Sequence, residues 1–266
     1  PVMETFTGDW LSLRVHTDGA ARSKVLADLF IKRLPPHPRI LDVASGAGAN
    51  AFYFESVTGW SAPGMAPDWT LVDGDPDLLT RARRLNGRTA TVIADLTPGI
   101  SPELLAGVDG ITASAFFDLV SESWFDDFAH SVRSLPLLLA LSVDGRWRWS
   151  PAHRQDNAIM THFARDQQRD KGFGPALGGG AAMAMIRILT AHGFEVSSRC
   201  ADWRLGAADA DLLDALTRMI AAAVSPYDVD ASDWLARRHY EIECGALRLR
   251  LGHLDLLALP HAGKAS

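Results

Sequence analysis

The 266-residue sequence predicts an α/β fold, a mostly parallel sheet with helices on both faces, and three observations carry that prediction. Short apolar runs of strand length recur along the chain. Helical stretches, two of them opened by a cap-and-proline signal, alternate with these runs. The first run ends in a bend of residues with almost no side chain, from which a helix departs. Alternation of this kind implies parallel strands joined by crossover helices.

The first forty residues read as helical. Ala21, Val25 and Leu29, with Leu26 and Phe30 beside them, make one apolar stripe, and Pro35, Pro36 and Pro38 stop the helix. Ile40 to Ala44 reads as a short buried strand, followed by a small-residue turn and a helix. Trp69 to Val72 is a second strand. Asp75 then offers an N-cap with Pro76 at the first helical position and Leu78, Leu79 and Ala82 on the inner face. Thr91 to Ala94 is a third strand, and Ser101-Pro102-Glu103 repeats the cap signal. Ile111 to Ser114 is a fourth strand, Ser121 to Val132 a helix, and Leu137 to Val143 a fifth strand. Phe194 to Ser198 starts a sixth. Leu247 to Leu259 is the last, with Leu247, Leu249 and Leu251 on one face and Arg248 and Arg250 on the other.

Composition narrows the function classes. Apolar residues make up 47% and charged residues 22%, a globular balance for one large domain over 1–266. The net charge of −6 and the lack of a basic stripe disfavour nucleic acid and anionic membranes as partners. No run of about 18 apolar residues or secretory signal is visible. Cys200 and Cys244 are the only cysteines, and two thiols without a partner motif point to a reducing, cytoplasmic setting and no metal centre.

Parallel sheets bind ligands beyond the carboxyl ends of their strands. The bend Leu41-Asp42-Val43-Ala44-Ser45-Gly46-Ala47-Gly48-Ala49-Asn50 lies at such an end. Its small residues let the backbone approach a ligand, and the amides of the following helix point into the bend. Asp42 can accept from a ligand or orient the turn amides. The second strand ends in Val72-Asp73-Gly74-Asp75, where the Asp73 carboxylate can take both hydroxyls of a ribose. The third ends in Ala94-Asp95-Leu96, where Asp95 can accept from the exocyclic amine of a purine. One adenosine-containing ligand lying across the three strand tips uses all three aspartates.

The segment Leu41 to Gly48 resembles motif I of the class I S-adenosylmethionine-dependent methyltransferases, with Asp42, Gly46 and Gly48 matching. Ala44 stands where the motif has its first glycine, and alanine there implies a turn without a positive φ. Asp73, with Pro76 and Leu79 after it, is similar to the family's ribose-binding position, and Asp95 to its adenine-binding one. Ile111 to Ser114, followed by Ala115, Phe116 and Phe117, resembles motif IV, and Gly252-His253-Leu254 the closing antiparallel strand. The resemblance covers residues 36 to 145 well and the rest in outline. It implies a Rossmann-like three-layer sandwich of seven strands in the order 3-2-1-4-5-7-6, the last antiparallel. It further implies S-adenosylmethionine as cofactor and S-adenosylhomocysteine as product. The donor site would comprise Arg14, Asp42, Ala44, Ser45, Gly46, Ala47, Gly48, Asn50, Asp73, Gly74, Asp75, Asp95, Leu96, Ser114 and Ala115. Residues 1–35 would form an N-terminal helical cover and 36–145 the donor-binding core. Residues 146–192, with the glycine-rich run Gly172 to Gly180, and 205–243, read as two helices, would cover the acceptor or decorate the sheet edge.

A rival cofactor fits the same bend. Gly46-Ala47-Gly48-Ala49-Asn50-Ala51 satisfies the dinucleotide fingerprint ending in alanine, so an NAD(P)-dependent oxidoreductase is the alternative. Against it, Asp42 would repel a pyrophosphate, and Asp73 falls 27 residues after Gly46, later than the fingerprint's roughly 20. The loop Gly59 to Asp68 accounts for the extra length under either reading.

Methyl transfer to a protonated oxygen or nitrogen calls for a general base. Asp118, just beyond the fourth strand, is the first candidate and equally a helix cap; His153, His162 and His16 are alternatives. The cluster Arg165 to Gly174 is either a clamp for an acidic acceptor or a solvated loop. Arg14 or Arg22 would pair with a methionine carboxylate, or lie at the surface. Trp10, Trp124, Trp203 and Trp234 read as packing residues. The expected acceptor is a small molecule; a protein or RNA acceptor, or a donor-binding protein without catalysis, are the remaining alternatives.

Overall fold

The computed structural model describes residues 8–56, 60, 66–83, 89–227 and 229–261. Two helices, α1 (Gly8–Ala21) and α2 (Lys24–Ile31), precede β1 (Arg39–Val43) and α3 (Ala49–Ser56). There follow β2 (Asp68–Asp73), α4 (Pro76–Ala82), β3 (Thr89–Ile93), α5 (Pro102–Leu105), β4 (Gly110–Ser114) and α6 (Glu122–Ser131). Then come β5 (Leu137–Ser150), α7 (Asp156–Gln167), α8 (Ala181–Ala191), β6 (Phe194–Cys200) and β7 (Trp203–Leu205). The chain closes with α9 (Ala210–Val224), α10 (Ser232–Glu243) and β8 (Arg248–Pro260). Most of the loop from Gly59 to Asp68 lies outside the described residues.

The sheet runs β3-β2-β1-β4-β5-β8-β6. Strands β1 to β5 are parallel to their neighbours, and β8 lies antiparallel between β5 and β6. This is the expected order, with the last strand inserted beside the fifth. The addition is β7, a short strand paired antiparallel to the start of β8.

Local signals account for the helix starts. Asp75 caps α4 by accepting from the Asp77 and Leu78 amides, with Pro76 behind it. Ser23 accepts from the Leu26 amide and so opens α2 as a separate helix after α1. That break shifts the expected stripe: Leu26, Ala27 and Phe30 are buried, while Val25 and Leu29 are exposed.

Alternation along β1 splits the core. Leu41 and Val43 join an apolar layer with α6 and α8, while Ile40 joins Leu26 and Phe30 of α2, Phe54 of α3 and Leu79 of α4 on the opposite face. A third core was not foreseen. The fifth strand continues past Val143 to Ser150, and Trp147 and Trp149 pack with Leu249 and Leu251 of β8, Trp203 of β7, and α7, α9 and α10. Residues 205–243 therefore cover this sheet extension. Among the described residues no helix is long and apolar enough to cross a membrane, both cysteines are free and exposed, and no cluster of potential metal ligands occurs.

Candidate active site

A cavity of about 490 Å³ opens beyond the carboxyl ends of β1, β2 and β4. Its floor is the bend after β1. That bend is anchored to β2 by the Ser45 amide donating to the Val72 carbonyl (3.0 Å) and the Gly46 amide donating to Asp73 Oδ2 (2.7 Å). Asp73 Oδ1 accepts from the Asp75 amide at 2.9 Å, so one carboxylate ties the bend to the start of α4. Burial raises the Asp73 pKa, against the pull of these amides. With the Gly74 amide also donating to it, the carboxylate keeps about one lone pair for a ligand.

Asp42 is buried on the cavity wall. Its Oδ1 accepts from Asn50 Nδ2 at 2.6 Å and from Thr112 Oγ1 at 2.7 Å, linking β1 to α3 and β4. Desolvation pushes its carboxyl up to about 6, against these hydrogen bonds and the nearby Arg22 guanidinium. Asp42 Oδ2, Ser45 Oγ and Asn50 Oδ1 are buried without a hydrogen-bond partner, and all three residues line the cavity. Buried polar atoms are ordinarily paired, so three orphans around one bend mark a place prepared for a polar ligand.

Backbone conformation corrects one expectation. Ala44 has φ +51°, so the bend requires the left-handed region even where alanine stands. The chain leaves the sheet sharply here, and the surrounding packing holds the strained alanine. Ala115 at the end of β4 adopts φ +52° and also lines the cavity. Gly48 (φ +81°) is not part of the wall. A Cβ there would sit 3.1 Å from Ala82 Cβ and 3.3 Å from Leu71 Cδ1, so this glycine lets α4 approach the bend.

Of the other expected residues, Arg14, Ala47, Gly74, Asp75, Leu96 and Ser114 line the cavity. Arg14 pairs with Asp18 at 2.8 Å and lies 5.0 Å from the Trp203 ring, which fixes it on α1 above the bend. Arg22 is outside the wall, buried over the Tyr53 ring. Asp95 is also outside: its exposed carboxylate accepts from the Thr97 amide at 2.9 Å, and Leu96 faces the cavity instead. Trp124 Nε1 holds the Leu96 carbonyl at 2.9 Å, and Trp203 and Trp234 are buried, consistent with packing roles.

Asp118 does not reach the wall. A 3-10 turn over Phe117–Leu119 presents Leu119 instead. Neither His16, His153, His162 nor any other described histidine lines the cavity. From residues 146–192 only Lys171 and Phe173 contribute, and from 205–243 none does. The sequence implied an N-terminal helical cover with Arg14 in it, but not that Leu11, Ser12 and Val15 would face the cavity beside it. Helix α1 has no fully buried residue and hence no clear apolar stripe to reveal its docking face.

No family model matches the sequence, and no curated protein does. Among solved structures, the chain is similar to a Bacillus halodurans protein provisionally described as a methyltransferase. The TM-score is 0.52 at 18% identity over 90% of this chain and 99% of that one. With the sheet order, this decides the architecture. The chain has the fold of the class I S-adenosylmethionine-dependent methyltransferases. Weaker similarity within that fold extends to a Bacillus subtilis protein of unstated activity (TM-score 0.49, 12% identity, 90% of this chain and 100% of that one). It also extends to a Haemonchus contortus phosphoethanolamine N-methyltransferase (TM-score 0.45, 10% identity, 89% of this chain), of which the chain spans 52%. In the class I fold the β1 bend and the tips of β2 and β4 meet at the point where strand order reverses, which is where this cavity opens.

Proposed function

We propose that this protein binds S-adenosylmethionine in the cavity at the Ala44–Gly48 bend and methylates a small molecule. The observation that carries the reading is the trio of orphaned polar atoms on Asp42, Ser45 and Asn50. A donor rich in hydroxyl, amine and carboxylate groups supplies the partners they lack. The bend itself fits an adenosyl group, because Gly46 at φ +53° carries no side chain over the floor.

Each wall has a task. Asp42 and Asp73 offer acceptor oxygens. Arg14, already balanced by Asp18, offers guanidinium hydrogens on the lid side. Leu96, Phe116, Leu119 and Phe173 make an apolar wall that excludes water next to Ser114 and Ala115. When bound, the donor supplies an electrophilic methyl group on a sulfonium leaving group. The protein then contributes mainly alignment of acceptor and donor, an effect that reaches about 7–11 kcal/mol of the barrier. With Asp118 and the described histidines off the wall, alignment and not a side-chain base carries the proposal. The cavity, about 490 Å³, lies in the range of small-molecule sites, and the net charge of −6 favours a small acceptor over a nucleic acid.

Titration calorimetry with S-adenosylmethionine and S-adenosylhomocysteine tests the reading. Wild-type protein binds both, and Asp73→Ala, which also frees the Gly46 amide, lowers affinity by about tenfold or more. Equal affinity in the variant removes Asp73 as an anchor. Binding of NADH, seen as enhanced nicotinamide fluorescence, with none of the sulfur nucleosides would replace the proposal by the oxidoreductase reading.

A further inference from the structure

The sheet extension has two faces, and only one is covered. Trp147, Trp149, Trp203, Leu249 and Leu251 point into the third core. The alternate residues point to solvent, and they are arginines. Arg148 of β5 stands directly opposite Arg250 of β8, which stands directly opposite Arg204 of β7. Arg146 and Arg248 extend the same face by one step along β5 and β8. These positions are up to about a hundred residues apart in sequence, so no basic stripe is visible until the strands pair.

The charge on this face is only partly balanced. Asp202 accepts from Arg146 (3.0 Å) and Arg250 (2.6 Å), and Asp144 pairs with Arg146. Asp209, the other acid at the groove, accepts from the Gly206 amide at 2.9 Å. The Arg148 and Arg204 side chains are exposed and have no hydrogen-bond or ion-pair partner among the described residues. Like charges directly opposite on neighbouring strands destabilise a sheet, so three in one row call for an external anion. A glycine makes room for one outer arginine: a Cβ on Gly206 would lie 3.3 Å from Arg248 Cδ, whereas one on Gly252 would meet the Asp144 carboxylate that pairs with Arg146.

We infer that this arginine face docks an acidic segment of a protein partner. The face is a shallow groove, which suits an extended partner better than a small anion. All five cations are arginine, whose planar fork matches a carboxylate and which protein interfaces favour over lysine. Trp149 is the one aromatic residue lining the groove, and its ring packs edge-on against Trp234 (ring centroids 5.7 Å), so the face lacks the series of aromatic platforms on which successive bases stack. The inference is independent of what the cavity binds.

The test measures fluorescence anisotropy of a labelled oligoglutamate peptide titrated with the full chain at low salt. Wild-type protein binds it, and raised salt weakens binding. Arg148→Glu combined with Arg204→Glu lowers affinity by about tenfold or more. The same change places an acid on either side of Arg250, so the melting temperature holds or rises. Arg148→Gln with Arg204→Gln serves if the reversal does not fold. No binding by wild-type protein, or equal binding by the variants, overturns the proposal. So does tighter binding of an RNA duplex than of the peptide, or displacement of the peptide by micromolar tripolyphosphate; these outcomes would assign the face to nucleic acid or to a small polyanion.

Discussion

Asp42→Asn separates ligand binding from stability at the floor of the cavity. The carboxyl is held at about 6 from an ordinary value of 3.8, and desolvation is the leading cause. A folded-state pKa above the unfolded one means that the folded protein binds the extra proton. Stability from this group is therefore present at low pH and is lost as pH rises from about 4 through about 6. At pH 7 the ionised Asp42 costs about 3 kcal/mol. Asparagine keeps an oxygen to accept from Asn50 and Thr112 but cannot ionise. It also buries an unpaired amide, which costs about 1–3 kcal/mol at every pH. The absolute change at one pH is thus small, but the change with pH is not. Between pH 4.5 and 7 the variant gains on wild type by about 2 kcal/mol, or about 4 °C or more in melting temperature for a chain of this size. Titrations of other groups, such as His253, which burial lowers to about 4, are common to both proteins and largely cancel in the comparison. Calorimetric melts of both proteins at the two pH values read this double difference. At pH 7 the variant also binds S-adenosylhomocysteine more weakly, since the orphaned oxygen has become a donor. A stability difference, variant minus wild type, that stays constant or falls from pH 4.5 to 7 would refute the account of a buried, ionised Asp42.

Two further outcomes follow from strain and burial. Ala44→Gly relieves a left-handed alanine at φ +51° and raises stability by about 1 kcal/mol in urea titration, with no loss of donor affinity. A decrease would mean that the alanine methyl packs better than its backbone suffers. Arg238→Ala removes the buried cation between Glu241 (2.7 Å from the guanidinium) and Asp156 and beside the Trp149 and Trp234 rings, leaving Glu241 only the half-exposed Arg237 and Asp156 only the Trp234 and His153 hydrogen bonds. It destabilises by about 2–4 kcal/mol in the same assay; a change under about 1 kcal/mol would show that the cation is dispensable.

What the sequence determined by itself was local. Strand runs, the capping of α4 by Asp75 and the side-chain-poor bend are readable because each depends on residues within a few positions of one another. The sheet order came through resemblance in the same region, and the carboxylates of Asp42 and Asp73 stand on the cavity wall because strand ends are local features too. Tertiary structure decided everything that depends on distant partners. Asp95 sits at a strand tip like the other two, yet its carboxylate turns to the neighbouring Thr97 amide, and Trp124 of the distant α6 holds the Leu96 carbonyl where Leu96 takes the place on the wall. Ala44 needs a positive φ because β2 and α4 fix where the bend must go, which its own small side chain cannot report. Which residues of α1 face the cavity was decided only where that helix, which carries no apolar stripe, met the bend. The arginine row exists only through the pairing of β5, β8 and β7, since charge in a sheet is arranged by register, and register joins residues that the chain keeps far apart.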